Sequence, residues 1–240
     1  MSDGPFAGKH ALVTGGARGI GLAFAQALRA RGARVSVVSR SAGDAQADVS
    51  DETQVQRAFA TCRKQHGPID MLINNSGISD SAPLTRTSKA LFDRIIATNL
   101  TGTFLCSREA AQDMVISKWG RILNVASIAG LYGAPYIAAY CASKHGVIGL
   151  TRAMAAEFAG TGITVNAVCP GYTETSMMQQ AISKIVQFTG ASEERARETL
   201  AGMNPEGRIV TPDEVAEASL EMMSAEKNGI ALVIPGGMEA

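Results

Sequence analysis

The chain has 240 residues, 46% of them hydrophobic and 18% charged, enough apolar material for one globular α/β domain over 1–240 with a sizeable core. Its 22 basic and 22 acidic residues cancel, which removes any electrostatic case for nucleic acid or a generic anionic surface as partner. Met1 to Gly8 lacks the charged head and apolar stretch of a signal peptide, and no run approaches the roughly 18 apolar residues of a membrane helix, so a cytoplasmic protein with no membrane partner is expected.

The first apolar run, His10 to Thr14, leads into Thr14-Gly15-Gly16-Ala17-Arg18-Gly19-Ile20-Gly21 and then a helical pattern from Leu22 to Leu28. That is strand, glycine turn, helix. Glycines there let the backbone come close to a pyrophosphate, whose charge is met by free amides and the positive end of the helix. Further short apolar runs bounded by turn residues lie at Arg34–Val38, Ile69–Ile73, Arg121–Val125, Ile163–Val168 and Ile230–Ile234. With helical patterns between them they predict buried parallel strands in a doubly wound sheet.

Tyr140 and Lys144 stand four apart, hence on one face of a helix, and Ser127 precedes the tyrosine by thirteen residues. A tyrosine hydroxyl titrates near ~10, and Lys144 would supply the cation that stabilises its phenolate. Val147, Leu150, Met154 and Phe158 continue behind them at helical spacing. Near the end, Thr211-Pro212-Asp213-Glu214 reads as an N-cap, a proline at the first helical position and a capping-box glutamate, predicting a helix to about Ala225. Cys62, Cys106, Cys141 and Cys169 show no metal-ligand spacing, so reduced thiols and no metal site are expected. Cys141, next to Tyr140, reads as a small buried side chain. His10, His66 and His145 receive no role.

Taken together these motifs resemble the short-chain dehydrogenase/reductase family over essentially the whole chain. Gly15, Gly19 and Gly21 fit its Gly-xxx-Gly-x-Gly turn, Asn74-Asn75-Ser76-Gly77 its Asn-Asn-Ala-Gly motif, and Pro170-Gly171-Tyr172-Thr173-Glu174-Thr175 the segment after its sixth strand. The resemblance implies a Rossmann-like fold, a dinucleotide cofactor, and interconversion of a small-molecule ketone and a secondary alcohol. Asn99, Ser127, Tyr140 and Lys144 match the family's catalytic set: Tyr140 as proton donor, Ser127 as the donor positioning the carbonyl oxygen, Lys144 holding the nicotinamide ribose, Asn99 fixing a water. Gly15, Arg18, Gly19, Ile20, Gly21, Asn75, Gly77, Pro170, Gly171, Thr173 and Thr175 match cofactor contacts. By the same likeness Asp48 would hydrogen-bond the adenine and Val49 pack on it. Seven residues separate Arg40 from Asp48, where family members carry a helix, so the helix after the second strand is expected to be missing.

An acid after the second strand would accept the ribose hydroxyls of NAD, but this chain has Ser39-Arg40. A hydroxyl and a guanidinium, with Arg18 approaching from the glycine turn, suit a 2′-phosphate, so NADP(H) is preferred; NAD(H) binding through Asp44 or another nearby acid in the shortened loop is the alternative. The segment from Thr175 to Pro205 carries Met177, Met178, Ile182, Ile185, Val186 and Phe188, then Glu193-Glu194-Arg195-Ala196-Arg197-Glu198. It resembles the family's helical substrate lid, and methionines suit a deformable apolar pocket. Arg195 or Arg197 would meet the phosphate of an acyl thioester or pair with the neighbouring glutamates. General likeness points to 3-oxoacyl thioester reductases and 3-hydroxyacyl-CoA dehydrogenases. An NAD-linked dehydrogenase of a cyclic or secondary alcohol is the alternative, and a silent dinucleotide sensor is disfavoured by the complete catalytic set. The ending Val233-Ile234-Pro235-Gly236-Gly237 lacks the family's acid; a homo-oligomer, tetramer or dimer, is still expected.

Overall fold

The computed structural model describes residues 4–234; the ending Pro235-Gly236-Gly237 lies outside them. Seven parallel strands, β1 (His10–Thr14), β2 (Arg34–Ser39), β3 (Ala45–Gln46), β4 (Met71–Asn74), β5 (Gly120–Val125), β6 (Ile163–Pro170) and β7 (Ala231–Ile234), form one sheet in the order β3-β2-β1-β4-β5-β6-β7. Every strand run read from the sequence is present. The two-residue β3 was not foreseen, because a strand so short carries no apolar run.

Alternate strand residues serve opposite faces. Val13 of β1 and Val35 and Val37 of β2 pack with Phe24 and Leu28 of α1 (Gly19–Ala30) and Val215, Leu220 and Met223 of α8 (Pro212–Ser224). Leu12, Val38 and Leu72 pack instead with Val55 and Phe59 of α2 (Glu52–His66) and Leu105 and Met114 of α4 (Gly102–Ser117). Fully burying one such Phe or Leu contributes about 1.5–3 kcal/mol. The remaining helices are α3 (Lys89–Ile96), α5 (Ala138–Glu157), α6 (Ser176–Thr189) and α7 (Glu193–Gly202). No helix among the described residues is long and apolar enough to cross a membrane.

No helix separates β2 from β3. The chain turns back through Gly43, whose φ of +112° is glycine territory and where a Cβ would stand 2.5 Å from the Val37 carbonyl. Asp44 then closes the loop: its amide donates to Val37 O (2.8 Å) and its Oδ2 accepts the Val37 amide (2.7 Å). α8 carries the expected capping box, Thr211 and Glu214 bonding reciprocally. On α5 the buried stripe runs through Lys144, Val147, Ile148, Thr151 and Ala155, so Leu150 and Met154 lie on its shoulder and are half-buried rather than central. Strand order reverses between β1 and β4, the switch point beyond which ligands of such sheets bind.

Candidate active site

At the switch point the glycine turn joins β1 to α1. Gly15 and Gly19 have φ of +65° and +53°, and a Cβ on Gly21 would overlap the Gly15 carbonyl. The Ncap of α1, Arg18, makes no side-chain cap, and the first turn holds no acid, so the helix presents uncapped amides and its positive dipole end to whatever lies beyond. Asn75 holds the turn in place: Nδ2 donates to Thr14 O (3.0 Å) and Gly15 O (3.2 Å). Its Nδ2 is thereby committed to the backbone of the turn.

At the end of β2, Ser39 closes its own turn, Oγ donating to Ala42 O (2.5 Å) and accepting the Ala42 amide (3.1 Å). Arg18 and Arg40 are exposed, and neither pairs with a carboxylate among the described residues. Asp44, the alternative ribose ligand, gives Oδ2 to the Val37 amide. Asp48 uses Oδ1 to accept from Ser50 N (2.9 Å) and Oγ (2.6 Å). Val49 is 5% exposed and packs on Gly102, so its side chain belongs to the core rather than to an adenine face.

The four expected catalytic residues converge above β4 and β5. Ser127 follows β5, Tyr140 and Lys144 stand one turn apart on α5, and Asn99 lies in a π-helical turn, Ala97–Thr101, between α3 and α4. Such single turns recur at functional sites. Ser127 stands near enough to the Tyr140 phenol to favour its ionised form, and its Oγ accepts the Ala129 amide (3.1 Å). Lys144 is buried, its Nζ donating to Val125 O (2.7 Å) and standing 5.7 Å from the centre of the Tyr140 ring. A Cβ on Gly77 would lie 3.4 Å from Asn99 Oδ1 and 3.8 Å from Lys144 Nζ, so bare backbone reaches the lysine there. Asn99 Oδ1 accepts the Ile78 amide (2.9 Å), and Nδ2 donates to Ile78 O (2.9 Å) and to Ser143 Oγ (3.0 Å), which itself donates to Tyr140 O (2.7 Å). The asparagine thus ties the Gly77 strand end to the helix turn that carries the tyrosine.

Burial pulls Lys144 down to about 8 and pushes Tyr140 up to about 12, the latter only partly opposed by Ser127. Here the structure departs from the sequence expectation: in this state Lys144 is turned to a carbonyl, and desolvation outweighs any help it gives the phenolate. Cys169, at the end of β6, is fully buried and within electrostatic reach of Lys144 and Tyr140, and its thiol is pushed up to about 11. It was not foreseen beside the site, since only the fold brings it there. Cys141 is buried, as expected, and His145 points elsewhere, its Nδ1 against Cys141 O at 2.9 Å.

After β6, Pro170 ends the strand, the Gly171 amide donates to Ile234 O (2.7 Å), and buried Thr173 bonds Gly171 O (3.0 Å). Thr175 caps α6 and its Cγ2 lies 3.2 Å from where a Gly19 Cβ would be, so the start of the expected lid touches the glycine turn. α6 and α7 pack Met178 and Ile182 against Ala196 and Leu200. Arg195 pairs with Glu198 (3.1 Å), a neighbouring glutamate as read from the sequence, whereas Arg197 reaches outside that run to Glu174. Lys184 of α6 reaches Asp80, beyond β4.

A short chain dehydrogenase family profile matches residues 9–185. The chain belongs to the short-chain dehydrogenase family. It is 37% identical to the 3-oxoacyl-(acyl-carrier-protein) reductase MabA of Mycobacterium tuberculosis over 98% of this chain and 94% of that one. It is also 37% identical to a D-beta-hydroxybutyrate dehydrogenase of Cupriavidus necator, over 90% and 91% of the two chains. Among solved structures, a variant actinorhodin polyketide ketoreductase with NADPH superposes with a TM-score of 0.90 at 35% identity, covering 95% of this chain and 96% of that one.

Proposed function

We propose that this short-chain dehydrogenase is an NADPH-linked reductase of ketones, with 3-oxoacyl thioesters as its favoured class, and that Asn99, Ser127, Tyr140 and Lys144 carry its proton chemistry. The observation that carries the reading is the placing of Ser127, at the end of β5, close enough to Tyr140 to favour its phenolate, one helix turn from buried Lys144. The likeness to MabA and to a polyketide ketoreductase supports the substrate class.

The residues fit a phosphorylated dinucleotide. A glycine-rich turn, bare of Cβ at Gly15, Gly19 and Gly21, and an uncapped helix end suit a pyrophosphate; two unpaired arginines suit a further phosphate, and one oxygen of the Asp44 carboxylate that would favour NAD already accepts the Val37 amide. Gly15, Gly19, Ile20 and Gly21 would hold the pyrophosphate, Arg18 and Arg40 the 2′-phosphate, and Asp48 the adenine. Gly77 and Lys144 would hold the nicotinamide ribose, with Pro170, Gly171, Thr173 and Thr175 along the nicotinamide. When bound, the nicotinamide supplies the hydride.

The chain supplies the rest. Ser127 donates to the carbonyl oxygen and fixes it against the Tyr140 phenol, which gives up its proton as charge develops there. The Lys144 ammonium stabilises the phenolate left behind. Asn99 keeps Ile78 and, through Ser143, the Tyr140 turn in register. Phe104, Val115 and Ile116, exposed on α4, support a homo-oligomer, and we place the enzyme in the cytoplasm.

Side-by-side kcat/KM values for NADPH and NADH, with a short 3-oxoacyl thioester and a cyclic ketone, test this reading. NADPH preference with the thioester is expected. NADH preference, or activity confined to the cyclic ketone, would replace it with an NAD-linked dehydrogenase.

A further inference from the structure

The segment from Thr175 to Met203 leaves after β6 and returns to the same place, and one side chain fastens its two ends. Asn204 is 3% exposed. Its Oδ1 accepts the Tyr172 amide (2.7 Å), while Nδ2 donates to Tyr172 O (3.0 Å) and Arg208 O (2.7 Å). A primary amide can accept from the N–H and donate to the C=O of one residue and still donate to a second carbonyl, which a hydroxyl with its single proton cannot. Beyond it the fastening continues: Val210 N donates to Tyr172 O (3.0 Å) and Glu174 N to Val210 O (2.9 Å). A Cβ on Gly171 would overlap Asn204 Oδ1, so glycine at 171 is what admits the amide.

Tyr172 links this neck to the chemistry. Half-buried, it packs against the apolar seam between α6 and α7, Met178, Ile182, Ala196 and Leu200. It also lies close enough to Tyr140 to oppose ionisation of that phenol.

We propose that Asn204 is a positioning residue, holding the main chain of Tyr172 so that its ring forms a fixed wall of the carbonyl pocket between Tyr140 and the two helices. The inference rests on Tyr140 acting at the carbonyl. Asn204 itself contacts backbone only. Without it the Tyr172 N–H and the Arg208 carbonyl lose their partner, the loop shifts to recover other partners, and the wall moves, while the glycine turn keeps its own ties to Asn75.

Wild type, Asn204→Ala and Asn204→Ser are compared well below their melting temperatures. The readouts are KM and kcat for a short 3-oxoacyl thioester and the Kd for NADPH from fluorescence titration. Loss of an interaction made equally in ground and transition states raises KM at constant kcat. We therefore expect KM to rise about tenfold in the alanine variant and less in the serine variant, which keeps one donor, with the NADPH Kd, held mainly at the glycine turn and the phosphate end, changing by a smaller factor than KM. A lowered melting temperature with unchanged KM in the folded variants overturns the inference and leaves Asn204 as scaffold; should the alanine variant not fold, the serine variant decides by the same criterion. Tyr140→Phe assayed alongside separates the two claims. Turnover surviving in it removes the catalytic reading, whereas unchanged KM at position 204 beside an inactive Tyr140→Phe removes this inference alone.

Discussion

At Tyr140 two opposing demands meet in one side chain. Burial keeps the phenol protonated, pushed up to about 12, which suits a proton donor, while Lys144, brought down to about 8, stays charged only below that pH. Below pH 8 the pair is phenol and ammonium, the state that can donate and then stabilise the phenolate. As pH rises through 8 the ammonium is lost first. Reductive kcat/KM is therefore expected to be flat below about pH 8 and to fall above it; a rate that climbs through that range would contradict these assignments. The pair was legible in the sequence because i, i+4 spacing needs only a helix. Which carbonyl Lys144 would meet was not, since Val125 comes from another strand. The same holds for the phosphate end: Arg40 was legible as a cation after β2, but that Asp44 would accept the Val37 amide depends on a loop closure no local pattern announces. Arg40→Asp is expected to lower kcat/KM for NADPH at least about tenfold, the cost of a lost charge-assisted contact and an added repulsion, and to raise the NADH ratio. An unchanged ratio would remove Arg40 from the phosphate site.

Among the elements, those with a long apolar period or a complete cap were readable. α8 was announced by Thr211, Pro212 and Glu214, and its Pro212–Ser224 span meets the expected end near Ala225. Thr211→Ala is expected to cost about 1 kcal/mol, as loss of an N-cap does, measured as a shift in denaturation midpoint with activity per folded molecule intact. β3 and the π-helical turn at Asn99 were not readable, the first because two residues carry no alternation, the second because a π turn differs from an α turn only in its hydrogen bonds. The β2–β3 connection was read as helix-free from its length, and the structure supplies the reason it holds: Gly43 accepts a positive φ and Asp44 clamps Val37 twice. Gly43→Ala should strain that turn and, by shifting Arg40, weaken NADPH more than it weakens a small ketone. Equal loss for both would place the effect on stability alone.

For the whole molecule, the sheet brings together residues far apart in sequence at one edge: the glycine turn of β1, Gly77 beyond β4, Ser127 beyond β5 and the segment beyond β6. The fold, and the convergence of these segments into one candidate site, were legible together because each carries its own short motif at a strand end, whereas the placing of Asn204 and Cys169, set only by tertiary contact, was not. A ligand that binds only the folded state stabilises it by about 2.7 kcal/mol at one hundred times its Kd, so NADPH is expected to raise the melting temperature more than NADH at equal concentration. The most direct test of the central claim is a single-turnover measurement of ketone reduction by Tyr140→Phe preloaded with NADPH, with the cofactor's Kd measured on the same sample. The account predicts a Kd within about twofold of wild type and a reduction rate lower by at least about a hundredfold, the contribution of one positioned proton donor; a reduction rate near wild type would show that another group supplies the proton and that Tyr140 is not the acid.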